Sequence, residues 1–163
     1  MSEKAWVVDA SPLILYARIG RLDLLEYLAP CIIVPAKVLE EVRQGLWKDE
    51  AAKVAIAWAE TRVISDAEIP VSVEHWDVGP GESQVITHCL GRKRWAVLDD
   101  RMARRCAEAH HLLTVGSIGI ILRAKERGGI PKAKPWLNKL KEAGMYISED
   151  IIERCLIAVG EEY

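Results

Sequence analysis

No Cys-x-x-Cys pair occurs among the 163 residues of this sequence. The four cysteines, Cys31, Cys89, Cys106 and Cys155, are scattered and each sits in an apolar stretch. That pattern argues against a zinc site and for reduced, packed thiols. No apolar run is long enough to span a membrane, and no signal-peptide pattern precedes the first apolar segment. The expectation is therefore a cytoplasmic protein with no membrane partner. A strong charge imbalance is missing too: the formal net charge is −2, with 28% of residues charged. The chain as a whole is not an electrostatic nucleic-acid binder, so contact with nucleic acid would need a local basic patch. Internal repeats and low-complexity segments are also absent, and the length suits a single domain with a real core.

What is present is organised around Ala5–Leu15. Trp6, Val7 and Val8 run straight into Asp9, and an unbroken apolar run of this kind reads as a strand buried on both faces. Ser11 as N-cap and Pro12 at the first helical position predict a helix immediately afterwards. Leu22–Leu28 suggests a short second helix, Cys31–Val34 a strand closed by Pro35, and Ala36–Gln44 a helix stopped by Gly45. Asp49–Glu60 reads as helix and Val63–Ile64 as a short strand. The Gly79-Pro80-Gly81 turn leads into a helix over Glu82–Leu90. Trp95–Leu98 is a strand ending in Asp99-Asp100, followed by a helix to about Ala109. Leu112–Val115 is the last strand and Ser117–Arg127 its helix. Strands alternating with helices predict an α/β fold with a central parallel sheet and helices on both faces.

Acids gather where such a sheet binds ligands, beyond the carboxyl ends of its strands. Asp9 and Asp99/Asp100 end strands. In Ala36–Gln44, Val38, Leu39 and Val42 form the buried arc; Glu41 borders it and Glu40 points away. Glu82 heads the Val85, Ile86 and Cys89 stripe of its helix. Singly, Glu82 and Asp100 have an ordinary explanation as acids at helix N-termini, and Glu41 as a solvated helix residue. Asp9 is harder to explain, since Ser11 is available as the cap and an unpaired carboxylate there is costly to desolvate. Carboxylates clustered without a nearby lysine repel one another, and a hard divalent cation with oxygen ligands resolves that. Two other acid-using classes fit less well. A phosphoacceptor receiver wants a lysine after the last strand, where Val115-Gly116-Ser117 stands. An aspartyl-phosphate phosphatase wants Asp-x-Asp, where Asp9-Ala10-Ser11 stands.

The segments VVDASPLI, VPAKVLEEV, GPGESQVIT and VLDDRMARRCAE, in this order and spacing over residues 5–130, resemble a PIN domain, especially the prokaryotic branch related to VapC-type toxins. The resemblance implies a three-layer α/β/α sandwich and a metal-dependent endoribonuclease leaving a 5′-phosphate. It further implies the toxin half of a toxin–antitoxin pair, with RNA as substrate and an antitoxin protein as partner. Position by position it implies Asp9, Glu41, Glu82 and Asp100 as the catalytic acids and as ligands of Mg²⁺ or Mn²⁺. Asp99 assists or replaces Asp100, and Ser11 and Ser117 are auxiliary. Glu82 stands where the family more often has Asp, and its extra methylene alters metal geometry. A non-catalytic PIN-like module binding RNA or protein is the alternative.

Basic residues carry less. Arg101, Arg104 and Arg105 lie opposite the apolar face of their helix, most simply a solvated surface, although Arg101 sits beside the acids. Arg18 and Arg101 are the expected phosphate contacts; Arg21 and the Arg92–Arg94 turn have the same ambiguity. His110 and His111 have no partner at ligand spacing, and Trp6 and Trp95 read as core. Residues 1–130 form the expected nuclease core. Residues 131–163 form a helical extension with two apolar stripes, one on Trp136, Leu137 and Leu140 and the other on Ile151, Ile152, Cys155, Leu156 and Val159. Packing back on the core is the expected role of both, with a homodimer or antitoxin surface as the alternative.

Overall fold

Five parallel strands make one sheet in the order β3-β2-β1-β4-β5. They are β1 (Ala5–Val8), β2 (Ile32–Pro35), β3 (Val63–Ile64), β4 (Arg94–Val97) and β5 (Leu113–Val115). The structure is a computed structural model in which residues 4–45 and 49–162 are described. Residues 1–3 and 163, the outer ends of the two expected segments, lie outside the described residues. Ten helices among the described residues connect and cover the strands, giving a three-layer α/β/α arrangement. They are α1 (Ala10–Arg18), α2 (Leu22–Leu28), α3 (Ala36–Gly45), α4 (Glu50–Glu60), α5 (Val71–Glu74), α6 (Pro80–Cys89), α7 (Arg101–Ala109), α8 (Ser117–Glu126), α9 (Lys134–Glu142) and α10 (Glu149–Ala158).

The central strand is β1, paired with β2 through Trp6↔Ile32 and with β4 through Val8↔Val97. Trp6, Val7 and Val8 are all buried, as a parallel strand covered on both faces requires. The chain builds outward from β1 to β2 and β3, then returns to add β4 and β5 on the other side. The direction therefore reverses between β1 and β4, and open α/β sheets bind ligands in the crevice at such a reversal. Asp9 follows β1 and Asp99-Asp100 follows β4, so they flank that crevice.

Helix starts differ from the sequence expectation in two places that matter for the site. Asp9, not Ser11, is the N-cap of α1, with extended φ/ψ of −83° and 167° and no side-chain capping bond. Pro12 is therefore the third residue of the helix and not the first, and its missing N–H still costs nothing because the first N–H groups of a helix have no intrahelical acceptor. Helix α6 begins at Pro80 with Gly79 as its cap, so Glu82 lies within the first turn instead of opening the helix. The single turn of α5, capped by Pro70, stands where the sequence around Pro70 and Asp77 reads as loop. The helices of the last thirty or so residues join the main core, which includes Leu137, Leu140, Ile147, Ile152 and Leu156.

Candidate active site

Asp9 is the centre of the acidic edge. It is 5% exposed, and its Oδ1 is buried with no hydrogen-bond partner. Burial pushes its carboxyl up to about 8; the Ala10 N–H pulls the other way, and Glu82, Glu41 and Asp99 add to the rise. Those three carboxylates are thus near enough to be felt, which places them around Asp9. Glu82 is lifted to about 7, first by desolvation and then by Asp100 and Glu41. Asp100 is the acid that acts on Glu82 most strongly, and crowding of like charges disfavours the ionised form.

The outer acids are each held by a donor. Glu41, partly buried on α3, turns inward and accepts the Gly81 N–H on Oε1 at 2.9 Å. This works only because residue 81 is glycine: a Cβ there would stand 2.5 Å from Glu41 Oε2. Glu40 points outward to Lys37 and Gln44, as the helical arc predicted. Asp100 caps α7 by accepting the Ala103 N–H at 2.9 Å. Asp99 accepts the Ser117 N–H on Oδ1 and the Ser117 hydroxyl on Oδ2, both at 2.7 Å, while the Ser11 hydroxyl donates at 3.4 Å. Ser117 is fixed in turn, because its carbonyl accepts the hydroxyl of the fully buried Tyr16 at 2.7 Å. The two adjacent aspartates therefore have different neighbours. Asp99 faces Asp9 and the first turn of α8, and Asp100 faces Glu82.

Residues 5–161 match the family described as DUF3368, PIN domain. The chain belongs to the PIN domain family. No curated protein matches it. PIN domains are in general nucleases and typically use divalent metal ions, which gives the acidic edge of this one its chemical sense. The match runs through residue 161, so α9 and α10 lie within it.

All five acids singled out in the sequence lie along one edge of the PIN domain sheet. They fit a divalent cation in kind: hard oxygen donors, one of them buried and unpartnered. Among the described residues, however, no three His, Cys, Asp or Glu side chains stand in an ion-holding group. Three of the carboxylates, Glu41, Asp99 and Asp100, are instead turned toward backbone and hydroxyl donors. A cation would have to draw Glu41 and an aspartate from those donors.

The expected phosphate contacts fare differently. Arg18 borders the site, but its Nε pairs with Asp49 at 3.0 Å and its Nη1 donates to the Ala143 carbonyl at 2.9 Å. Its guanidinium is a clamp between α1, the start of α4 and the end of α9. Arg101 is exposed at the start of α7. Arg104, which helical periodicity assigned to the solvated face, is partly buried and borders a cavity with Asp99. The main cleft, about 600 Å³, is walled by Ser11, Glu41 and Asp99 on one side and by Gly144, Met145 and Tyr146 on the other. Nothing in the sequence signalled that wall, because it depends on how the α9–α10 connection docks.

Proposed function

We propose that this PIN domain is a metal-dependent endoribonuclease of the cytoplasm, the toxin component of a toxin–antitoxin pair. Its site is Asp9, Glu41, Glu82 and Asp100, with Asp99 as a further ligand. The observation that carries the reading is Asp9 Oδ1: a buried carboxylate oxygen without a partner, ringed by acids. An isolated buried charge of this kind is expensive unless it is paired or coordinates a metal. Mg²⁺ or Mn²⁺ bound there would neutralise charge on the scissile phosphate and activate a water. Asp9 is the fixed anchor, since it sits at a strand end and has no competing donor on Oδ1. Glu82, raised by burial and by its acidic neighbours, must release its proton to act as a ligand. Ser117 and Ser11 hold Asp99 beside Asp9. Single-stranded or looped RNA is the easier substrate, since its bases and backbone are open to the cleft. Four free cysteines accord with a reducing compartment.

A non-catalytic module is the second reading. It is favoured by the donors that Glu41, Asp99 and Asp100 already have. Calorimetric titration of Mn²⁺ together with RNA cleavage separates the two. Wild type should bind Mn²⁺, cut single-stranded RNA internally and stop on addition of EDTA, while Asp9→Asn/Asp100→Asn does neither. Absence of Mn²⁺ binding by wild type at millimolar metal leaves catalysis without a cofactor and makes the non-catalytic module the better account.

A further inference from the structure

Two cavities adjoin at the acidic edge. The main cleft holds Ser11, Glu41, Asp99, Met145 and Tyr146; a second, of about 390 Å³, holds Asp99, Arg104, Gly116, Ser117 and Met145. Asp99 and Met145 border both, so together they form a groove running past Asp99.

Each end of the groove carries one side chain that the fold holds in place but does not use. Tyr146 is 89% exposed, yet the segment bearing it is anchored. Arg18 grips the Ala143 carbonyl, the Met145 N–H donates to Leu140, Ile147 is 1% exposed, and Ser148 caps α10. A ring presented from a fixed segment loses little freedom when it is covered. At the other end, a Cβ on Gly116 would lie 3.2 Å from Asp99 Oδ1 and 3.4 Å from Arg104 Nη1. The guanidinium thus reaches the acidic edge, and it forms no ion pair with another described residue. Arg18 and Arg21, by contrast, are paired with Asp49 and Asp23.

We propose that a single strand of RNA lies along this groove, with one base stacked on Tyr146 and a neighbouring phosphate held by Arg104, so that the backbone passes the acids between them. The inference rests on the nuclease reading and adds the substrate path to it. Aromatic faces stack with any base, and an arginine fork suits a phosphate better than a lysine does. An acidic edge repels a polyanion, so anchors on both sides are what would bring the scissile phosphate past it.

The test is fluorescence anisotropy with a labelled uridine dodecamer and the full-length Asp9→Asn protein, which should bind without cutting, titrated at several KCl concentrations. Tyr146→Ala should weaken binding on the order of 10-fold with the salt dependence unchanged, and Tyr146→Trp should restore it. Arg104→Gln should lower the slope of log K against log salt by about 0.7, the value for one contact to single-stranded nucleic acid. Tyr146→Ala binding as tightly as the parent, or an unchanged slope in Arg104→Gln, overturns the path and makes the groove a seat for a protein segment, while the nuclease reading stands. If the parent binds no oligonucleotide, the path falls together with the nuclease reading.

Discussion

Gly81 decides where the Glu41 carboxylate can stand. Alanine is normally the better helix former by roughly 0.5–1 kcal/mol, so propensity alone favours a substitution in the first turn of α6. Contact opposes it, because the added methyl would meet Glu41 Oε2 at 2.5 Å. The atom it meets is the far end of a flexible side chain, so Glu41 swings away and the backbone stays. Gly81→Ala should therefore leave the melting temperature within a few degrees of wild type while reducing Mn²⁺ affinity and cleavage by about 10-fold, the low end for disturbing a metal site's support. A fall in melting temperature with unchanged Mn²⁺ affinity would show that the glycine serves packing alone. Ser117→Ala acts by the same logic from the other side. It removes the 2.7 Å hydroxyl bond to Asp99 while leaving the backbone N–H bond. The expected cost is about 1 kcal/mol in urea unfolding.

At the scale of elements, what the sequence reveals depends on whether a segment's environment is written in its own neighbours. Strands β1, β2 and β4 are legible because burial on both faces makes an unbroken apolar run, and Glu41 is legible because α3 has a clear helical arc. Asp9 as the N-cap of α1 is not legible, since Ser11-Pro12 carries the stronger local start signal. One turn of helix at α5 has no periodicity to read. Arg104 and Tyr146 are set by tertiary docking: Arg104 flanks the apolar face of α7 and is covered by the start of α8, and Tyr146 reaches the cleft only because α9 and α10 fold back. Arg18 belongs with these, for its position suggests a phosphate contact and its partners make it a clamp on the α9–α10 connection. Arg18→Gln should lower stability by about 1 kcal/mol, a figure kept small because the pair is partly solvated. It should also speed proteolysis between α9 and α10 while leaving the salt dependence of RNA binding unchanged. A reduced salt slope in that variant would return Arg18 to the phosphate-binding set.

The whole molecule feels the acidic edge as a pH dependence of its stability. Asp9 is raised from 3.8 to about 8 by folding, chiefly through burial. A carboxyl with a raised folded pKa holds its proton more tightly in the native state than in the unfolded chain. Its contribution is complete below about pH 4, drains away as pH climbs toward 8, and is gone above that. Glu82, raised from 4.5 to about 7, acts in the same direction over a narrower window. Other groups run the opposite way. Asp49 and Glu161 are lowered by their hydrogen bonds and ion pairs, so they lose their contribution only in more acidic solution. His88, held neutral by burial and by Arg94, loses its contribution only as pH falls below 6.5. A bare pH profile therefore mixes signs, and the informative quantity is the difference between wild type and Asp9→Asn, in which every other group is common. In EDTA the two should be close in stability near pH 5. By pH 8.5 Asp9→Asn should be the more stable by a few kcal/mol, since the neutral amide carries no charge to bury. Adding Mn²⁺ at pH 8.5 should raise the melting temperature of wild type and not of the variant, because a ligand that binds only the folded state stabilises it. If the difference between the two proteins is flat from pH 5 to 8.5, Asp9 is ionised and satisfied throughout, and the acidic edge is not under the strain that a metal would relieve.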